Sequence, residues 1–262
     1  MLTGKKIVII GGTTGIGLAA AAAFVANGAQ IVVVGRDTES CETVQSQLKN
    51  CLSLSADACE PDTAKAAIAL CQRSFGSFDG LYHVAGGSGR QQGDGPLHEL
   101  SLEGWRHTFD LNLTSLMLSN QAAVQAFLVQ QTGGTILNMS SVLGHSPSIT
   151  HFTTHAYAAA KAAVFGFSKS IAAYYAHNNI RINVIAPALV DTPMAQRAVQ
   201  NESIMAFIKT KQPLDGGRIG QADDLNGAAL YFMSDCSKFT TGQILSVDGG
   251  WSVSEGQVGG YL

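Results

Sequence analysis

The stretch Gly11-Gly12-Thr13-Thr14-Gly15-Ile16-Gly17 decides the fold of this chain. It follows an apolar run at residues 5–10 that predicts a β-strand, and it opens an alanine-rich run at 15–27 that predicts an α-helix. Glycines at positions 11 and 15 let a phosphate reach the backbone N–H groups at a helix N-terminus, and Gly17 lets helix and strand pack closely. The turn therefore predicts a dinucleotide site. A plain tight turn is the alternative, because the G-x-x-x-G-x-G spacing departs from G-x-G-x-x-G.

The same alternation of strand and helix continues outward from this turn. The strand runs are almost continuously apolar, which is typical of parallel strands covered on both faces. We therefore expect one domain over residues 1–262, an α/β fold with a Rossmann-type, doubly wound parallel sheet of about seven strands and helices on both faces. Strands are predicted at 5–10, 31–34, 51–55, 80–84, 135–139, 181–185 and 243–247. Helices are predicted at 15–27, 39–49, 61–75, 101–131, 154–177 and 222–234.

Three long irregular stretches are predicted, at residues 86–96, 143–153 and 188–220. Each follows a predicted strand. Ligands of open α/β sheets bind beyond the carboxyl ends of the strands, so these stretches are expected to line the binding site.

The composition excludes several classes of function. Charged residues make up 13% of the 262 residues and the net charge is -3, so we expect no nucleic-acid partner. The uncharged stretch at 7–35 is divided by glycines into short pieces, so we expect neither a membrane span nor a signal peptide. The five cysteines form no C-x-x-C pair, which favours buried thiols in a reducing cytoplasm over disulfides or zinc.

Arg36 directly follows the second predicted strand. An acidic residue at this place would bind the adenine ribose 2′-hydroxyl, whereas a guanidinium binds a 2′-phosphate. The position favours NADP(H), with NAD(H) as the alternative because the carboxylate of Asp37 is adjacent. A solvated surface arginine is the other interpretation.

Tyr157 and Lys161 lie four residues apart in a predicted helix and therefore share one face. A neighbouring cation favours the phenolate form of a tyrosine and lowers its pKa towards neutral pH. The pair thus predicts a general acid–base, although a chance pairing on an amphipathic helix gives the same spacing.

These features and several later segments resemble the short-chain dehydrogenase/reductase family over about residues 2–253. The glycine turn matches the family's T-G-x-x-x-G-x-G with Ile10 in place of Thr, and Tyr157 and Lys161 match its Y-x-x-x-K pair. Further matches are N-x-S-S at 138–141, the helix-four asparagine at Asn112, P-G-x-x-x-T at 187–192 with Ala188 for Gly, V-D-G-G at 247–250, and the acidic residue at Asp57.

The resemblance implies an NAD(P)-dependent oxidoreductase acting on an alcohol or ketone. Ser141 would hold the substrate oxygen, Tyr157 would exchange its proton, Lys161 would lower the tyrosine pKa and hold the nicotinamide ribose, and Asn112 would position a water. The implied cofactor site contains Gly11, Thr13, Thr14, Gly15, Ile16, Gly17, Arg36, Asp57, Ala85, Gly86, Tyr157, Lys161, Pro187, Val190 and Thr192. The implied substrate contacts are Ser141, His155 and Met194, under a lid at about 188–220.

Two departures from the family pattern stand out. His83-Val84-Ala85-Gly86 replaces N-N-A-G, which puts local geometry in doubt more than chemistry. Ser141 and Tyr157 are sixteen residues apart, about three more than is usual in the family, which should reshape the substrate entrance. His145, His151 and His155 crowd this longer loop, but we expect no metal site.

Two other functions are compatible with the same fold. One is an enoyl reductase, but those relatives use a wider spacing than the three residues between Tyr157 and Lys161. The other is a catalytically inactive nucleotide-sensing protein. The resemblance also implies a homotetramer, or a homodimer, formed through the helices at about 101–131 and 154–177. The substrate itself is not predicted beyond a small alcohol or carbonyl compound.

Overall fold

The computed structural model describes residues 1–256, and in this range seven parallel strands form one sheet. The strands are β1 (Lys6–Ile10), β2 (Gln30–Gly35), β3 (Cys51–Ser55), β4 (Gly80–His83), β5 (Gly134–Met139), β6 (Ile180–Pro187) and β7 (Ile244–Val247). Their order in the sheet is β3-β2-β1-β4-β5-β6-β7, with every pairing parallel. From β1 the chain adds β2 and β3 on one side and β4 to β7 on the other, so the strand order reverses between β1 and β4. Doubly wound sheets bind ligands at this switch point. The predicted fold class is confirmed, with strand ends within about two residues of those expected.

Helices cover both faces of the sheet. They are α1 (Gly15–Ala26), α2 (Thr38–Gln47), α3 (Thr63–Phe75), α4 (Leu102–Phe109), α5 (Ser115–Gln130), α6 (His155–Tyr175), α7 (Gln196–Val199), α8 (Glu202–Lys211) and α9 (Asn226–Met233). Ile7 and Ile9 of β1 pack with α1 and α9, whereas Val8 and Ile10 pack with α3 and α5 on the other face. Both sets are buried, which explains why the strand runs are continuously apolar.

The single helix predicted at 101–131 is interrupted. Between α4 and α5 the backbone forms a π-helical turn at Asp110–Thr114. Asn112 Nδ2 donates to the Thr108 carbonyl at 2.9 Å and Ser115 Oγ donates to the Leu111 carbonyl at 2.8 Å. In a regular α-helix, these carbonyls would accept hydrogen bonds from backbone amides, but here they accept them from side chains. Such π-helical turns are frequent at functional sites.

The stretch at 188–220, predicted to be irregular, contains α7 and α8. Asn201 caps α8, since its side chain accepts a hydrogen bond from the Ile204 amide, and Ile204 and Ile208 bury one face of the helix. A capping asparagine followed by apolar residues four apart is a helix signal. It was not used to predict α8 because the segment is short.

Two other expectations can be compared with residues 1–256. All five cysteines are free, but Cys236 is exposed and Cys59 only half-buried, so the expectation of buried thiols holds only for Cys41, Cys51 and Cys71. No helix in this range combines the length and the hydropathy that a membrane crossing requires.

Candidate active site and cofactor cleft

A cavity of about 370 Å³ lies along the carboxyl edge of the sheet, and its volume is in the range of small-molecule sites. It begins at Arg36 and Asp57, beyond the ends of β2 and β3, and passes the glycine turn. It ends among Ser141, Tyr157 and Trp251. Fourteen of the fifteen residues predicted to bind cofactor line it directly: Gly11, Thr13, Thr14, Gly15, Ile16, Arg36, Asp57, Ala85, Gly86, Tyr157, Lys161, Pro187, Val190 and Thr192. Gly17 does not line it.

The glycine turn fits a pyrophosphate. Gly11 has a φ of +85°, and a Cβ there would lie 2.7 Å from the Ala85 amide nitrogen, so no side chain is tolerated. A Cβ at Gly17 would collide with the Gly11 carbonyl oxygen, which gives this residue the packing role expected of it. The Thr14 side chain makes no capping hydrogen bond to α1, and Gly15 and Ile16 of its first turn line the cavity, so this helix N-terminus suits an anion.

The side chains of Arg36 and Asp37, which bear on cofactor choice, have different surroundings. Arg36 is exposed and lines the cavity. Asp37 instead caps α2, where its carboxylate accepts hydrogen bonds from the Ser40 amide at 2.8 Å and from the Ser40 hydroxyl. These bonds lower the pKa of Asp37, the side-chain bond more than the backbone bond. The Asp37 carboxylate is thus committed to the helix.

Ser141, Tyr157 and Lys161 converge at the other end of the cavity. Ser141 follows β5, and its Oγ accepts a hydrogen bond from the Leu143 amide at 3.2 Å. Tyr157 and Lys161 lie on consecutive turns of α6, with Lys161 Nζ 5.6 Å from the centroid of the tyrosine ring. Lys161 is buried, and its Nζ donates to the Met139 carbonyl at 3.2 Å.

Burial dominates the ionisation of this pair. It raises the pKa of Tyr157 to about 12, against a smaller lowering by a hydrogen bond with Ser141. Burial also lowers the pKa of Lys161 to about 8. Removing both groups from water favours their neutral forms. Lys161 is not among the causes of the Tyr157 shift, so the lowering of the tyrosine pKa by Lys161 stays a prediction.

Asn112 is buried in the π-helical turn beside the pair. Its Nδ2 donates to the carbonyls of Gly87 and Thr108, and its Oδ1 accepts from the Gly87 amide at 3.1 Å. A Cβ at Gly86 would lie 2.7 Å from Asn112 Oδ1 and 3.3 Å from Lys161 Nζ, so amide and ammonium flank the same glycine. One lone pair of Oδ1 remains for a water next to Lys161.

Of the three residues predicted to contact the substrate, two line the cavity and one does not. Ser141 and Met194 line the cavity, and Met194 is exposed at its mouth. His155 is exposed and does not line the cavity, because it occupies the first position of α6, where its amide donates to the Gly95 carbonyl. Within residues 1–256, no three histidine, cysteine or acidic side chains are grouped as a metal site would require.

Comparison with known proteins finds dehydrogenases and reductases that match almost the whole chain. A family profile described as enoyl-(acyl carrier protein) reductase matches residues 11–252. The chain is 33% identical to a 2,5-dichloro-2,5-cyclohexadiene-1,4-diol dehydrogenase of Sphingobium indicum, over 96% of this chain and 98% of that protein. It is 31% identical to a cis-4-hydroxycyclohexanecarboxylate dehydrogenase of Sinomonas cyclohexanicum, over 95% and 96%. A crystal structure of a short-chain type dehydrogenase/reductase from Mycobacterium marinum superposes with a TM-score of 0.88 at 29% identity, covering 96% and 97%.

The chain belongs to the short-chain dehydrogenase/reductase family. It is an oxidoreductase that uses a nicotinamide cofactor, as the resemblance of its motifs implied. Nothing in these comparisons favours an inactive nucleotide-sensing protein.

The segment that replaces the family's N-N-A-G is held beside the glycine turn by backbone hydrogen bonds. Val84 and Ala85 still donate their amides to the Ile10 carbonyl, so β4 stays docked beside the glycine turn. His83 is fully buried, with Nδ1 3.0 Å from Ser119 Oγ, and that hydroxyl donates onward to the Ser115 carbonyl. Nδ1 therefore carries the proton. Burial, and secondarily the charge of Lys161, lowers the pKa of His83 to about 3, so the ring is neutral.

Several residues of the short-chain dehydrogenase/reductase site were missed from the sequence. Asp94 is buried, and its two carboxylate oxygens accept the Ala156 and Tyr157 amides at 2.9 and 3.0 Å, which fixes the start of α6. No sequence signal links it to a helix sixty residues away. Four more residues line the substrate end of the cavity: Arg90, Phe152, Arg197 and Trp251.

Proposed function

We propose that this enzyme transfers a hydride between a nicotinamide cofactor and an alcohol or ketone. The observation that carries the proposal is the convergence of Ser141, Tyr157 and Lys161 in the cavity that continues to the glycine turn. A group bound along the turn and a substrate bound beside Tyr157 would therefore share one enclosed space. When bound, the cofactor donates or accepts the hydride, and the protein supplies orientation and proton transfer.

In this proposal Tyr157 donates its proton to the carbonyl oxygen during reduction and takes the hydroxyl proton during oxidation. The Ser141 hydroxyl donates a hydrogen bond to the same oxygen. Lys161 holds the nicotinamide ribose, and its pKa of about 8 lets it gain and lose a proton near neutral pH. Asn112 binds the water that connects Lys161 with solvent. Thr192 and the other lining residues of the turn and of 187–192 hold the cofactor.

Reduction of a carbon–carbon double bond is the competing reaction, since the matching family profile is described as an enoyl-(acyl carrier protein) reductase. Three residues separate Tyr157 from Lys161, which supports carbonyl chemistry. The names of the two relatives above, a diol dehydrogenase and a hydroxy acid dehydrogenase, support it further.

Absorbance of the reduced nicotinamide tests the proposal, with matched alcohol, ketone and enoyl substrates and with either cofactor. We expect turnover of alcohols and ketones. We expect Tyr157→Phe, which keeps the ring and removes the hydroxyl, to lose at least about a hundredfold in kcat. Cofactor affinity should be unchanged. Turnover of enoyl substrates alone, or full activity of Tyr157→Phe, would contradict the proposal.

For the cofactor we propose NADP(H). Arg36 faces the cavity and the Asp37 carboxylate is turned to α2, so a 2′-phosphate meets a cation and no nearby anion from this pair. The test is the ratio of kcat/KM for the two cofactors. We expect Arg36→Asp to shift that ratio at least about tenfold towards NAD(H), the effect of losing one charge-assisted hydrogen bond. An unchanged ratio would show that Arg36 is only a surface charge.

We also propose a homotetramer, with a homodimer as the alternative, formed through α4–α5 and α6. On α4 and α5, Leu102, Trp105, Leu128 and Val129 are exposed, which supports a covered surface here. A Cβ at Gly166 on α6 meets nothing within 4 Å, so Gly166→Leu should leave a protomer intact and block only a partner. Light scattering should give about four times 27.4 kDa for the wild type and a smaller mass for the variant. A monomeric wild type would refute the proposal.

The single domain over 1–262, the lid at about 188–220 and the cytoplasmic location stay predictions. The lid is supported by α7, which contributes Arg197 and Ala198 to the cavity lining, and by α8, which packs with Trp251. Free cysteines support a reducing compartment. Fractionation of cells that express the chain tests the location.

A further inference from the structure

The substrate end of the cavity has an apolar wall. Val142, Leu143 and Trp251 form part of it, and Phe152 packs edge-on against Trp251 with ring centroids 5.9 Å apart. The Trp251 indole N–H donates to the Ser146 carbonyl at 3.0 Å, which fixes the lengthened loop after Ser141 to the short helix Trp251–Val253. This wall suits a hydrocarbon-rich substrate body.

Two arginines interrupt the apolar wall. Arg90 follows β4 and is half-buried, and one of its η nitrogens donates to the His151 carbonyl at 3.3 Å. Arg197 lies on α7 at the mouth and is exposed. Both line the cavity that contains Ser141 and Tyr157.

The charges of these two arginines are not balanced within residues 1–256. Neither guanidinium forms an ion pair with a carboxylate there. Burial, and then the nearby charge of Arg197, lowers the pKa of Arg90, so the two groups are close enough to repel each other. Asp94 partly offsets this effect, but both its oxygens already accept amides of α6. Asp57 is the sole acidic residue of this range along the cavity, and it lies beyond β3, at the end of the cavity opposite Ser141 and Tyr157.

Like charges that converge on an apolar pocket are stabilised by an anion that fits between them. We infer that Arg90 and Arg197 bind a carboxylate of the substrate, which makes the substrate a hydroxy acid or keto acid with an apolar body. This inference rests on the proposed function, since it names the substrate class of the same site. The carboxylate would contact the arginines while the reacting oxygen contacts Ser141 and Tyr157.

Binding and turnover with matched probes test this inference on the full chain. Calorimetry at saturating NADP+ compares cyclohexanecarboxylate with cyclohexanecarboxamide, which differ in charge and hardly in shape. Turnover compares 4-hydroxycyclohexanecarboxylate with its amide. We expect the acid to be favoured by about ten- to a hundredfold, the effect of a charge-assisted hydrogen bond. Arg90→Gln and Arg197→Gln should each remove most of that preference.

Three variants serve as controls. Arg90→Lys keeps the charge and should keep a substantial part of the preference, which separates charge from the support that Arg90 gives the loop. Arg73→Gln removes an exposed arginine of α3 outside the cavity and should change nothing. Tyr157→Phe should lose turnover and keep the binding preference.

Two results would overturn the inference. One is equal binding of acid and amide by the wild type. The other is a glutamine variant that raises the KM of the cofactor and not that of the acid, since the arginines would then hold the cofactor pyrophosphate. If turnover is absent while the binding preference persists, the proposed function fails and the anion site stands.

Discussion

At the cofactor end of the cleft, backbone packs against backbone, whereas at the substrate end side chains from loops and short helices form the wall. A Cβ at Gly11 would lie 2.7 Å from the Ala85 amide nitrogen, but a Cβ at Gly95, outside the cavity and near the start of α6, meets nothing within 4 Å. Contacts between backbones restrict the residue type strongly, and contacts between side chains allow many replacements. The cofactor end is thus fixed by a few glycines, and the substrate end is free to vary.

The largest effect that this comparison predicts is at Gly11. Gly11→Ala adds a Cβ against the Ala85 backbone and at a φ of +85°, so we expect the free energy of unfolding to fall by about 3 kcal/mol. Cofactor affinity should fall with it. The matched change Gly95→Ala should cost less than about 0.5 kcal/mol. Urea unfolding measures both, and equal losses would show that the Ala85 backbone does not restrict position 11.

The second-largest effect on the free energy of unfolding is expected at Lys161, which lies where the two ends of the cavity meet. Burial lowers its pKa from 10.5 to about 8, so between these values the unfolded chain binds more protons than the folded chain. Stability therefore rises with pH across this window, and at pH 7 the buried charge destabilises the fold. Lys161→Met should raise the free energy of unfolding at pH 7 by about 2 kcal/mol, the linkage gain less the bond to the Met139 carbonyl. Activity should be lost.

Urea unfolding at pH 7 and pH 9.5 measures this effect. The wild type should gain stability between the two values, and Lys161→Met should lose that gain. Lys169→Met, at an exposed lysine of the same helix, is the control and should keep it. A variant less stable than the wild type at pH 7 would contradict the assignment of burial as the dominant cause.

The same contrast explains what the sequence could predict. The seven strands, the order of the helices and the positions of Ser141, Tyr157 and Lys161 follow from apolar runs and motifs, which are local signals. Asp94 and Arg90 were not predicted, because their roles depend on residues about sixty positions away, at Tyr157 and His151. The burial that raises the pKa of Tyr157 was not predicted either, since four-residue spacing shows proximity to Lys161 and gives no measure of burial.

Asp94 should show an effect of intermediate size. Asp94→Asn leaves one acceptor oxygen for two amides and removes the negative charge from the start of α6, so we expect a loss of about 1.5 kcal/mol. Because Tyr157 lies in that first turn, kcat should fall about tenfold while the KM of the cofactor stays unchanged. Ser101→Ala, which removes the cap of α4, is the control for a similar loss of stability. A normal kcat in Asp94→Asn would limit Asp94 to a structural role.

The smallest effect is expected in α8, which packs behind Trp251 of the cavity wall. Asn201→Ala removes the side chain that accepts the Ile204 amide at 3.0 Å, which costs about 1 kcal/mol. Helix α8 packs through Ile204 and Ile208 on the small apolar cluster with Trp251, apart from the two large clusters that cover the sheet. The loss should therefore appear as local opening, with amide exchange in Glu202–Lys211 about fivefold faster and Tm almost unchanged. Substrate KM should rise and cofactor KM should not. A fall in Tm comparable to that of Gly11→Ala would instead place α8 in the same cooperative unit as the glycine turn.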